Sequence, residues 1–285
     1  MRIGCIQVLY NPKLNILERS IKNIVEQVDV LVIVDNSPNK TCINLITNSS
    51  KVVYIFNNKN LGIAEAQNIG INELNKKSID YIYFSDQDSI PPSNIIQILI
   101  QDYKNLIKQN ILVGAIGPTI INRQTNKAYK GRIKRGVPIS SSINEVSEII
   151  SSGSLISTET LQKIGYMDSK LFIDGVDHEW CWRAHYMNGY RFFITKNTEL
   201  NHQLGEGDRS FMGIRIAIAT PFRAYYQYRN YFILAKRKYV PTYWKVSNGI
   251  KYIIRLIYYP LFVKPRIKYL KNSLRGIKDG LLNQI

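Results

Sequence analysis

The chain has 285 residues, 45% of them apolar and 21% charged, a composition that excludes a disordered chain and allows one large domain or a domain with an appendage. Its net charge is +17, but from Arg209 onward 16 Lys and Arg face the single acid Asp279, so +15 of that charge lies in the last 77 residues. The three cysteines, Cys5, Cys42 and Cys181, are far apart and form no CxxC, which excludes a disulfide framework and a structural zinc site and points to a reducing compartment.

The N-terminus, MRIGCIQVLYNPKLN, carries one early charge and a short apolar run that soon meets Asn11 and Pro12, the pattern of a first strand rather than of a signal peptide. Strand-length apolar runs follow in order: Ile3–Tyr10, Val30–Val34, Val52–Phe56 and Tyr81–Phe84. Near-continuous apolar runs suit strands covered on both faces. Between them Leu14, Leu17, Ile21, Ile24, Val25 and Val28 recur at helical steps, as do Ile95, Ile96, Leu99, Ile100 and Leu106 after a start at Pro91-Pro92. Alternating strands and helices predict a doubly wound α/β domain, whose ligands bind beyond the carboxyl ends of the strands.

Polar residues stand at those ends: Asp35-Asn36-Ser37, then Asn57, Asn58 and Asn60, then Ser85, Asp86 and Asp88. No GxGxxG follows the first strand and no GxxxxGK[ST] occurs, so neither a dehydrogenase nor a Walker-type NTPase is supported. In YIYFSDQDSIPP two carboxylates one residue apart close an apolar strand. Such a pair suits Mg²⁺ or Mn²⁺ holding a diphosphate, or it serves as turn and N-cap for the helix that follows.

Four motifs in fixed order, NLGIAEAQNIG (60–70), YFSDQDS (83–89), SSGSLIS (151–157) and FIDGVDHEWCWRAHYMNGYR (172–191), resemble glycosyltransferase family two. The similarity runs from about residue 3 to 235, and the DQD and FID-x-VD-x-EWC-x-R forms resemble its bacterial rhamnosyltransferase-like branch. The resemblance implies an inverting enzyme with the GT-A fold, a Rossmann-like mixed sheet flanked by helices, and a nucleoside-diphosphate sugar donor, dTDP-rhamnose in that branch and a UDP-hexose or galactofuranose donor as the alternative. Asp35 would bind the donor's base, and Asn60 and Gly62 would line the nucleotide and sugar pocket. Asp86 would meet the ribose or assist the metal, Asp88 would ligate the metal, and His202 would approach it. Gly153 would let the donor or acceptor sugar come close, and Asp177 would be the general base. Many relatives have adjacent Glu-Asp where this chain has Val176-Asp177 with Glu179 two residues on. On a helix those two acids lie about 200° apart. Asp177 is therefore given the chemistry and Glu179 a supporting pair with Arg183, four residues later.

From Arg209 the texture changes to Tyr, Trp and Phe interleaved with Lys and Arg, and the longest uncharged apolar run, Leu256–Val263, has 8 residues. A spanning helix needs about 20. The division expected is a catalytic domain over 1–208 and a basic, aromatic helical region over 209–285. That region would lie on an anionic membrane surface with its rings at headgroup level. The resemblance adds a lipid-linked glycan acceptor, surface polysaccharide synthesis and a place on the cytoplasmic inner face. Binding of nucleic acid instead would leave the acidic rim unexplained, and a carbohydrate-binding module would need neither metal pair nor base.

Overall fold

The protein is described by a computed structural model over residues 1–41, 49–122, 127–128, 136–202, 208–211 and 214–282, with backbone alone at 122, 127–128, 202, 208–211 and 214–217. The first half alternates as the periodicity predicts: β1 (Ile3–Leu9), α1 (Leu14–Val25), β2 (Val30–Asp35), β3 (Val52–Phe56), α2 (Gly62–Asn75), β4 (Tyr81–Asp86) and α3 (Ile95–Lys108). Next come β5 (Val113–Asn122), β6 (Lys127–Ala128), β7 (Val137–Pro138), β8 (Ile143–Val146), β9 (Leu155–Ser157), α4 (Thr158–Ile164), α5 (Val176–Asn188) and β10 (Arg191–His202). The remainder is a hairpin, β11 (Asp208–Phe211) and β12 (Ile214–Ala217), and three helices, α6 (Pro221–Ala235), α7 (Thr242–Phe262) and α8 (Arg266–Leu281).

One sheet runs in the order β3-β2-β1-β4-β9-β5-β10-β8-β7, with β6 beside β5. Its left half is parallel, β1 pairing with both β2 and β4 and β2 with β3, whereas β9 enters antiparallel to β4 and β5. The sheet is therefore mixed. All six residues of β2 are buried, with Val30, Val32 and Val34 in one core and Leu31 and Ile33 in the other. This period-two division explains why the strand is apolar at every residue from Val30 to Val34. One core packs α2 and α5 on the sheet and the other packs α1 and α3. Each Val, Leu or Ile so buried contributes roughly 1.5–3 kcal/mol.

Two local expectations shift. α3 begins at Ile95 with Asn94 as its N-cap, so Pro91 and Pro92 precede the helix instead of opening it. Leu14 is exposed, and Leu17, Ile21 and Ile24 form the buried stripe of α1.

The C-terminal helices correct the expected place of the rings. Tyr258, Tyr259 and Tyr269 are buried together with Ala224 and Val263. The hydroxyls of Tyr228, Tyr231 and Tyr269 donate to the carbonyls of Tyr252 (2.8 Å), Lys245 (3.0 Å) and Ala219 (2.8 Å). These rings hold the three helices together, because a Tyr half-way between apolar and polar packs well where its hydroxyl reaches a carbonyl. Tyr243 and Phe262 excepted, the large hydrophobic side chains that α7 and α8 expose are aliphatic: Val246, Ile250, Ile253, Ile254, Ile257 and Leu261, then Ile267, Leu270, Leu274 and Leu281. Among the described residues no helix is long and apolar enough to cross a membrane.

Candidate active site

Strand register assembles the rim. Val8 of β1 pairs with Val34 on one side and Asp86 on the other, and Leu9 pairs with Asp35. Asp35 and Asp86 therefore close strands that flank β1, about 10 Å apart across two strand spacings. Asp35 is fully buried, and its carboxylate accepts from the backbone N–H of Ser37 (2.9 Å) and Thr41 (2.9 Å) and from the Tyr54 hydroxyl (2.6 Å). Burial pushes its pKa up, but these donors outweigh burial and hold the carboxyl below its usual range. In return, burial and then the Asp35 bond raise the Tyr54 phenol. Asp35 thus shapes the turn that leaves β2.

Asn36, on the polar rim read from the sequence but given no role there, is the hub beside it. Its Nδ2 donates to the Gly62 carbonyl (3.0 Å), and its Oδ1 accepts from Asn57 Nδ2 (2.8 Å). Asn60 turns the chain by accepting the Gly62 N–H at 2.9 Å. Gly62 has φ +82°, and a Cβ there would stand 2.5 Å from the Phe172 carbonyl oxygen. Both facts require glycine. That same carbonyl accepts the Ile63 N–H at 2.8 Å, so the start of α2 is fastened to the segment that leads into α5.

At the end of β4 the middle residue of the DQD motif has its own task. Gln87 accepts the Tyr10 N–H (2.6 Å) and donates to the Tyr10 carbonyl (3.1 Å), locking the loop to the end of β1. Asp86 is half-buried and Asp88 is exposed on either side of this lock. Gly153, at φ +78°, donates its N–H to the Phe84 carbonyl at 2.8 Å, which lays the 151–154 loop against β4 two residues before Asp86. Among the described residues no three His, Cys, Asp or Glu side chains gather into a metal cluster. His202 ends β10, and its side chain lies outside the described residues.

α5 separates its two acids. Asp177 and Glu179 both stand in the first turn, where the helix dipole favours a carboxylate. Asp177 is half-buried, whereas Glu179 is 1% exposed and saturated by charge-assisted partners. Arg183 reaches it with Nε (2.9 Å) and Nη2 (3.1 Å), Arg237 with Nη1 (3.0 Å), and the Tyr239 hydroxyl at 2.5 Å. Arg183 also donates to the carbonyls of Ile164 and Tyr166, each at 2.7 Å. Burial, then the bond to Glu179, push the Tyr239 phenol up to about 12. Glu179 is a structural hub, and Arg237 and Tyr239, which join it from beyond α6, carried no motif by which sequence could mark them. Burial pushes the Cys5 thiol well above neutrality and Cys181 is buried, so neither presents a thiolate nucleophile; Cys42 lies outside the described residues.

The family model described as Glycosyl transferase family 2 matches residues 5–165. The chain is 32% identical over 288 residues to the dTDP-rhamnosyl transferase RfbF of Shigella flexneri, an alignment covering 98% of this chain and 95% of that one. Among solved structures it superposes on S. aureus TarS 1-349 in complex with UDP-GlcNAc with a TM-score of 0.56 at 13% identity, covering 100% of this chain and 93% of the other. It also superposes on GalNAc-T7 with UDP, GalNAc and Mn²⁺, with a TM-score of 0.55 at 11% identity. There it covers 100% of this chain and spans 56% of the GalNAc-T7 chain. The architecture is the GT-A fold that the motif order led us to expect.

Proposed function

The chain belongs to glycosyl transferase family 2 and is a glycosyltransferase, and from that premise we propose that it moves L-rhamnose from dTDP-β-L-rhamnose to a hydroxyl of a glycan acceptor. The observation that carries the choice of sugar is an identity of 32% spread over 98% of the chain to a relative named for that donor. The rim supports a nucleotide donor. Asp35, through the turn it orders, and the Asn36–Asn57–Gly62 network would form the wall against the base and ribose. Gly153 fastens the 151–154 loop beside β4, where the sugar would lie, and its missing Cβ makes way for Leu200 (2.8 Å) and Pro118 (3.0 Å).

Asp86 and Asp88 fit a hard divalent cation, Mg²⁺ or Mn²⁺, because such ions take one or two carboxylates and complete their shell with water and substrate phosphates. Asp88, exposed on the rim, would be the direct ligand, with Asp86 behind it and His202 as a further candidate. When bound, the ion supplies positive charge against the departing diphosphate. Asp177 accepts the proton of the acceptor hydroxyl while that oxygen attacks the anomeric carbon from the face opposite the leaving group. One displacement inverts the centre, giving an α-linked product, and base catalysis of this kind contributes roughly 10²–10⁴-fold.

We place the acceptor on a lipid carrier and the enzyme on the anionic inner face of the membrane, in surface polysaccharide synthesis. The +15 of the last 77 residues and the aliphatic stripe of α7 support this placement. Thermal shift with dTDP-rhamnose, UDP-glucose, UDP-GlcNAc and UDP-galactofuranose, each with Mg²⁺ or Mn²⁺, tests the donor. The donor at 100 times its Kd stabilises by about 2.7 kcal/mol. A shift with a UDP sugar and none with dTDP-rhamnose would replace rhamnose by that sugar.

A further inference from the structure

We propose that Asn230, on α6, is the positioning residue that holds the turn carrying the catalytic base, so that the C-terminal helices are part of the catalytic apparatus. The inference rests on the reading of Asp177 as base. Directly before Asp177 the chain runs through three left-handed residues in four, Phe172 (φ +63°), Asp174 (φ +66°) and Gly175 (φ +89°). Two of these are not glycine, a conformation that persists only where its surroundings enforce it.

The enforcement comes from a helix some 50 residues further along the chain. Asn230 Nδ2 stands 2.8 Å from the carbonyl of Leu171, 2.7 Å from that of Ile173 and 2.8 Å from that of Asp174. Its Oδ1 accepts from Arg229 Nε (3.1 Å) and Nη2 (3.0 Å), which fixes the amide with its N–H groups toward the turn. Arg229 also donates to the carbonyls of Lys170 (2.6 Å) and Leu171 (3.1 Å). Asn230 is 2% exposed and Arg229 5%, so neither bond competes with bulk water. One turn earlier on α6, Tyr226 stacks on the Phe172 ring at 4.5 Å, and two turns earlier Arg223 Nε donates to the Asp174 carboxylate at 3.1 Å. Residues 223, 226 and 230 share a helical face, and together with Arg229 they reach five consecutive residues, 170–174. The chemistry selects an amide: it offers two neutral N–H donors, whereas a carboxylate would repel three carbonyls and an aliphatic chain would leave them unpaired. The turn also touches the donor side, since Phe172 accepts from the start of α2. A shift of about 1 Å at a reacting group can cost on the order of 10²-fold in rate.

The test is Asn230→Asp beside Asp177→Asn in the full-length enzyme, reading kcat, donor Kd, Tm and amide hydrogen exchange. For Asn230→Asp we expect kcat to fall at least about tenfold. Donor Kd should hold within about twofold, and faster exchange should be confined to 171–176. The ratio of its kcat to that of wild type should rise as pH falls, because a protonated acid at 230 regains one donor. Should that variant not fold, Arg223→Ala, at the exposed side of the same turn, is expected to show the same split in kcat and exchange at smaller size. A lowered Tm with wild-type kcat and uniform exchange overturns the positioning role and leaves the base reading standing. Wild-type kcat in Asp177→Asn overturns the base reading itself, whatever Asn230 does.

Discussion

Gln87 and its acidic neighbours differ in what each side chain is free to do. Gln87 is pinned twice to the Tyr10 backbone, and that pinning presents Asp86 half-buried and Asp88 exposed at the end of β4. Asp88 therefore faces solvent where a diphosphate and its cation would lie. Asp88→Ala is expected to abolish the metal dependence of donor binding with little loss of stability, since an exposed carboxylate contributes little to the fold. Calorimetric titration of the donor with and without Mg²⁺ checks it, and an unchanged metal-dependent Kd would remove Asp88 from the site. The acid pair was legible in the sequence as a pair. The role of Gln87 was not, because its partner is a backbone 77 residues away.

At the scale of elements, the first half could be read because each strand and helix buries residues at its own period. β2 fills two cores at period two, and α1 buries Leu17, Ile21 and Ile24 at helical steps. The shorter strands of the second half, β6 to β9, escaped, since two to four residues carry no period and are held by pairing. β8 and β10 show how such a pair is secured: Arg191 donates to Glu145 through Nε (2.8 Å) and Nη2 (2.6 Å) across the antiparallel ladder. Those bonds are the main cause holding the Glu145 carboxyl below its usual range, with burial opposing. A depressed folded pKa gives stability that is fully present above the unfolded value of about 4.3 and is lost as pH falls through the lower folded value. With both side chains partly solvated the pair is worth about 1 kcal/mol or less. The stability gap between wild type and Glu145→Gln is expected to stay constant from pH 7 to about 5 and to close below about 4. Urea midpoints across that range decide it, and a gap that widens toward acid pH would reverse the assignment.

For the whole molecule, charge and exposed hydrocarbon coincide at one end. Val246, Ile250, Ile253 and Ile257 recur at four- and three-residue steps and fall within about 60° around α7. On α8 Ile267, Leu270 and Leu274 have Lys271 and Lys278 at their margin. From Arg209 onward the only acid is Asp279, which accepts from the Tyr225 hydroxyl at 2.7 Å. A surface with one sign of charge repels its own copy and attracts anionic lipid. The double variant Ile250→Asp, Ile257→Asp is expected to lose co-sedimentation with anionic vesicles at about 0.1 M salt while keeping transfer to a soluble acceptor. Wild-type binding should weaken as salt rises. Retained sedimentation by the double variant would remove this face from the interface.

The sequence by itself determined the α/β alternation, the polar rim at the strand ends, the order of the four motifs and the separation of Asp177 from Glu179, because each depends on local period or on residues within one turn. Only the tertiary structure decided what the distant chain does. It put the tail's tyrosines inside a helical packing, joined Arg237 and Tyr239 to Glu179, and set Asn230 on the turn before Asp177. A ring or an amide has the same intrinsic chemistry in either place, and whether it meets lipid, water or a carbonyl is settled by which helix packs over it.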